Sequence, residues 1–169
     1  MQFSLVALLL AASSALAAPT YSLVSRSESC MAKGAKVSSW TVHDFDLAYS
    51  LTKAGAAKDK GTVSFTLENK ALAYRAKCKA TSTGKNLFVG GVTYQCTGEA
   101  DGDSASFRFS RKNGGTLAIN QAWRCASEGG RYEASGKVKV NLSCEGSNGE
   151  VSCDKKTFKA PVTEMSAVL

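Results

Sequence analysis

The sequence predicts an all-β fold, an antiparallel, disulfide-bonded β-barrel or sandwich. Three observations predict it. Apolar and polar residues alternate with period two through segment after segment, the signature of strands with one buried face. Glycine- and asparagine-rich turn signals separate these segments at short, regular intervals. The chain also carries six cysteines, an even number that suits a stapled extracellular domain. No segment shows a helical stripe, and no internal repeat is present.

The chain opens with a targeting segment. Residues 3–12 form an apolar run too short to cross a bilayer as a helix. Ala15-Leu16-Ala17 fits the small-x-small rule for signal peptidase, so residues 1–17 read as a signal peptide. Cleavage follows Ala17 or Ala18, although the first residues lack the usual Lys or Arg. Residues 18–37 are small and polar and read as a flexible arm, with Arg26 a candidate processing site. Residues 38–162 form the single domain, and residues 163–169 read as a C-terminal tail. That tail holds neither a lipid-anchor signal nor a membrane span.

Within the domain, Trp40 opens a strand whose apolar phase switches between Val42 and His43, which predicts a β-bulge or bend. Residues 53–61 read as a loop. Val63, Phe65 and Leu67 then share one face, followed by Leu72, Tyr74, Ala76 and Cys78. Gly90-Gly91 leads into Val92, Tyr94 and Cys96. Ala105, Phe107 and Phe109 point inward on the next strand. Lys112-Asn113-Gly114-Gly115 is a hairpin turn, because Asn-Gly tolerates positive φ. Leu117, Ile119, Gln121 and Trp123 continue the meander. Residues 131–144 read as one long strand burying Tyr132, Ala134, Gly136, Val138, Val140 and Leu142. Gly146-Ser147-Asn148-Gly149 turns the last hairpin.

Spacing alone leaves the connectivity of the six cysteines open. Local geometry narrows it. Cys144 and Cys153 flank a turn and can face each other, and Cys78 and Cys96 end inward series on neighbouring strands. Cys30 and Cys125 are then left, and would tie the arm to the sheet. Metal binding does not fit, since no Cys-x-x-Cys pair occurs and His43 is the sole histidine. No cofactor motif appears.

The chain carries 21 basic and 14 acidic residues, a net charge of +7. The leader holds none of them, so the whole balance falls on the mature domain. Such a charge favours acidic partners. Arg75, Lys77 and Lys79 form one outward row, Lys137 and Lys139 another, and Arg108 lies between Phe107 and Phe109. Together they are a candidate basic binding face, provided that the rows adjoin. Nucleic acid is disfavoured for an exported protein with no aromatic-interleaved motif. Asn141-Leu142-Ser143 is a glycosylation sequon whose Asn141 shares the outward phase of Lys137 and Lys139. Catalysis would have to use His43 with Asp44 and Asp46. Adjacent strand residues diverge, which separates His43 from Asp44 and places Asp44 and Asp46 on one face.

The chain resembles the secreted fungal family of the major allergen of Alternaria. The resemblance rests on Met1-Gln2-Phe3, on Ala17-Ala18-Pro19, on Trp40-x-Val42-x-x-Phe45, on Cys78 with Tyr94-Gln95-Cys96, and on the hairpin from Cys144 to Cys153. It covers roughly residues 38–162 and implies an antiparallel β-barrel. It also implies the pairs Cys78–Cys96 and Cys144–Cys153. In the founding allergen a cysteine at the place of Cys30 links two subunits. This chain departs there, since Cys125 offers Cys30 a partner in the same chain. Family members are allergens and elicitors or effectors at the plant surface, some binding defence proteins or flavonoid-like ligands.

The expected function is therefore that of a secreted, extracellular, non-enzymatic binding protein, acting as an effector or elicitor at a host interface. Its partner would be a host extracellular protein or an acidic polysaccharide, and its state a monomer or weak homodimer. The alternatives are a carrier of a small aromatic ligand, with Tyr74, Tyr94 or Trp123 lining the pocket, and a glycan-acting enzyme with two carboxylates converging in a cleft.

Overall fold

The computed structural model describes residues 28–51, 59–84 and 86–168. The expected signal segment and cleavage site, and Arg26, lie outside the described residues, as does most of the expected loop at 53–61. Ten strands follow one helical turn, α1 (Cys30–Gly34): β1 (Ser39–Ser50), β2 (Lys60–Glu68), β3 (Arg75–Thr83), β4 (Tyr94–Thr97), β5 (Ser104–Ser110), β6 (Thr116–Cys125), β7 (Gly130–Lys139), β8 (Ser143–Ser147), β9 (Glu150–Pro161) and β10 (Glu164–Val168). All pairings are antiparallel, in the order β10-β7-β6-β5-β4-β3-β2-β1-β9-β8.

Strands β1 to β7 form a meander, each paired antiparallel with the next. The β5–β6 turn follows the expected chemistry: Asn113 and Gly114 both adopt positive φ. After β7 the chain crosses to the other side of the sheet, where β8 and β9 form a hairpin laid on β1. The chain from β9 then turns through Val162 and Thr163, and β10 pairs with β7. At this corner Val162 N–H donates to the Ser38 carbonyl and Thr163 N–H to the Ser135 carbonyl, each at 2.9 Å. The two sides of the sheet meet here, although the ladder as a whole does not close.

One hydrophobic cluster fills the space between the walls. Trp40, Val42, Phe45 and Leu47 come from β1, Val63, Phe65 and Leu67 from β2, Phe107 and Phe109 from β5, and Leu117, Ile119 and Trp123 from β6. Burying each large side chain is worth about 1.5–3 kcal/mol. Three disulfides, Cys30–Cys125, Cys78–Cys96 and Cys144–Cys153, staple the walls. Two of them bridge directly opposed residues, Cys78 with Cys96 and Cys144 with Cys153.

Several boundaries differ from the sequence reading. The arm to residue 37 contains α1, capped by the Ser29 hydroxyl and tied down by Cys30. The phase switch in β1 falls at Asp44, whose φ is 50°, so His43 stays on the outer wall. Leu72 and Tyr74 precede β3 rather than lie on it, and Val92 is exposed. The long strand at 131–144 is two strands. Asn141 turns the chain at φ 53° between β7 and β8, while Val140 and Leu142 N–H groups donate to Gly115 and Gly114 carbonyls. Val138 and Leu142 are only half-buried. The C-terminal tail includes a paired strand, β10.

Candidate functional site

The interior offers little room to a ligand where its aromatic rings meet. Ring centroids lie 4.9 Å apart for Phe65 and Phe107, 5.4 Å for Phe45 and Phe109, and 5.4 Å for Tyr94 and Phe107. Trp123 is fully buried and stacks on Tyr132 at 5.2 Å. Tyr74 donates a 2.6 Å hydrogen bond to Asp103, which also accepts from the Arg124 backbone. Tyr74, Tyr94 and Trp123 are thus committed to packing or hydrogen bonding, and none lines either of the two grooves described below.

Strand register decides which basic residues adjoin. On the first wall, Arg75, Lys77 and Lys79 of β3 face Glu68, Thr66 and Ser64 of β2. Beyond these lie Thr41, His43 and Asp46 of β1, then Lys159, Thr157 and Asp154 of β9. Acids are interspersed here. Glu68 takes Arg75 at 2.9 Å and His43 Nε2 at 2.5 Å. The hydrogen bond from His43, and after it the charge of Arg75, hold the Glu68 carboxyl below the ordinary carboxylate range. Lys159 donates to the Thr41 hydroxyl. The bulge at Asp44 places both His43 and Asp46 on this wall, but His43 is engaged by Glu68 and Asp46 stands opposite Asp154.

The second wall brings Arg108, Lys137 and Lys139 together. Arg108 of β5 faces Ala118 of β6, which faces Lys137 of β7. Lys139 lies two residues further along β7, opposite Thr116. β4 separates this trio from the β3 row, so the six basic residues form two groups rather than one continuous face. Asn141 is exposed in the β7–β8 connection, not on a strand.

Two surface grooves accompany these walls. The first, about 610 Å³, lies among Tyr49, Lys60, Thr62, Glu145, Glu150 and Ser152. It brings two glutamates to one groove, both exposed on the β8–β9 hairpin. The second, about 500 Å³, lies on the outer side of β5, β6, β7 and β10, among Ser104, Ser106, Asn120, Glu133, Ser135 and Glu164. Sequence reasoning did not find either groove. Outward serines and asparagines look like any solvated strand face until the register sets them side by side. Among the described residues no cluster of His, Cys, Asp and Glu could hold a metal.

The sequence model of Alternaria alternata allergen 1 matches residues 42–157, more than half of the chain. The chain belongs to that family. No curated protein and no solved structure matches it. The matched region runs from β1 into β9, so the family segment takes in both basic groups, the first groove, the β5, β6 and β7 side of the second, and the Cys78–Cys96 and Cys144–Cys153 bridges. Cys30 lies outside it and is bonded to Cys125 of the same chain. All six cysteines are paired within the chain. The family is named for an allergen, not for an enzymatic activity. Among the described residues no helix is long and apolar enough to cross a membrane.

Proposed function

We propose that this allergen-family protein is exported and works as a non-enzymatic effector or elicitor at a host interface, binding through its outer surface. The observation that carries this reading is the aromatic packing of the interior, which leaves the polar and basic walls as the contact surface. Three disulfides suit an oxidising, extracellular setting and hold those walls fixed without a ligand. The uneven charge of the walls favours an acidic partner presented outside the cell.

Purified protein infiltrated into leaf tissue is expected to alter the oxidative defence burst, and reduced, unfolded protein is expected not to. In parallel, incubation with plant cell-wall polysaccharide is expected to release no reducing sugar. Release that disappears in Glu145→Gln or Glu150→Gln would overturn the reading in favour of a glycan-acting enzyme.

A second reading is a carrier of a small aromatic ligand. Tyr49 favours it: the residue borders the larger groove, its ring carries the Arg111 guanidinium at 5.2 Å, and the groove volume suits a small molecule.

A further inference from the structure

We infer that the outer trough of β5, β6 and β7 is a binding site for an acidic glycan, a uronate-bearing oligosaccharide whose carboxylate sits between Arg108 and Lys137. The inference rests on the outer-surface reading above and assigns that surface a place and a ligand chemistry.

The register sets Arg108 and Lys137 on either side of Ala118. Two strand spacings put their backbones about 10 Å apart. A methyl group is all that rises between them, so two long cationic side chains can lean over one anion. Arg108 supplies a planar fork matched to a carboxylate, and Lys137 a mobile point charge. Lys139 repeats the charge about 7 Å further along β7, the distance between alternate strand residues. A chain with a carboxylate on successive sugars would meet a second cation there.

The charges of this trio are uncompensated. Among the described residues, ion pairs engage Lys36, His43, Arg75 and Arg131, but none of the three. The first wall differs, because Glu68 neutralises Arg75 and Asp46 and Asp154 lie on the row of Lys79. An anion is therefore drawn to the second wall.

The row beside the clamp is Ser106, Asn120 and Ser135, one from each strand. Hydroxyl and amide groups in a line can donate to and accept from sugar hydroxyls. They lie in the smaller groove, whose far side carries Glu133 and Glu164. Arg131 pairs with Glu133, and Glu164 accepts from the Ser135 hydroxyl and keeps its charge, which confines the anion to the Arg108 and Lys137 end of the trough. The outward residues at these positions include no aromatic ring, which a protein hot spot or a single-stranded nucleic acid would use.

Calorimetric titration of the full-length secreted protein with an α-1,4-galacturonate oligomer tests the assignment. Three comparison ligands are the methyl-esterified oligomer, a neutral oligosaccharide of equal length and a single-stranded oligonucleotide. Binding of the galacturonate is expected to fall about tenfold or more in R108S/K137S and upon esterification. K77S/K79S removes the same net charge from the other wall and is expected to stay within about twofold. Asn120→Ala is expected to weaken binding without changing its salt dependence, since it removes a neutral contact. Thermal midpoints of all variants report retained folding. Equal losses in the two double variants would reduce the effect to net charge and overturn the site. Equal affinity for the esterified oligomer or for the oligonucleotide would overturn the uronate. If no oligosaccharide binds while the leaf response persists, this site falls and the outer-surface reading stands.

Discussion

Gln121 is a polar residue deep in an apolar core. Its Oε1 accepts from Trp40 Nε1 at 2.7 Å and from Asn69 Nδ2 at 2.9 Å, so one amide oxygen ties β6 to β1 and to the β2–β3 turn. The period-two pattern placed it inward with Leu117, Ile119 and Trp123, but its partners lie 81 and 52 residues away and no local pattern marks them. Gln121→Ala leaves two buried donors unpaired. It is expected to cost about 3 kcal/mol in chemical denaturation, at 1–3 kcal/mol per stranded group. Tyr74 makes a pH-dependent contribution. Burial first, and its hydrogen bond to Asp103 second, push its phenol well above the ordinary value. The folded state thus prefers the neutral ring. That stabilisation is present below about pH 10, where the phenol of the unfolded chain titrates, and is lost as pH rises beyond it. Tyr74→Phe is expected to flatten the alkaline limb of the thermal midpoint against pH.

At the scale of the elements, the disulfides and one glycine hold the walls in place. Cys30–Cys125 spans 95 residues and Cys144–Cys153 spans 9. In the chain-entropy model the longer loop is worth about 4.5 kcal/mol and the shorter about 2.5 kcal/mol. Unfolding of C30S/C125S is therefore expected at lower denaturant than that of C144S/C153S; the reverse order would show that α1 adds little to the fold. Gly136 marks the corner where β9 passes β7, and a Cβ there would stand 2.0 Å from the Pro161 carbonyl oxygen. Gly136→Ala is expected to destabilise by about 1–3 kcal/mol through overpacking, read by thermal unfolding. Elements with local signals were legible in the sequence. Alternation marked β2, β5 and β6, and Asn113-Gly114 marked their hairpin. The break at Asn141 was not legible, because Val138, Val140 and Leu142 keep strand phase on both sides of it. α1 and β10 were missed for a related reason. A helix of five residues has no stripe to show, and β10 has no buried residue, so neither carries a hydrophobic pattern.

For the whole molecule, function depends on which outward residues become neighbours. Charge was legible as a total of +7, and the cationic positions were legible as strand rows. Their grouping was not, because it follows from strand order. β4 separates Lys77 from Arg108, whereas β6 joins Arg108 to Lys137 through Ala118. The same order gathers Ser106, Asn120 and Ser135 from three strands. A filled, cross-linked interior gives these walls a fixed spacing, so recognition need not wait for the protein to reorganise. The most direct test of this account is a two-dimensional NMR titration of the isotope-labelled protein with a galacturonate oligomer. The account predicts that shift changes cluster at Ser106, Arg108, Ala118, Asn120, Lys137 and Lys139 while the side-chain signals of Phe65, Phe107 and Leu117 in the core stay put. Changes centred on Tyr49, Gly61 and Val151, or spread through the core, would contradict it.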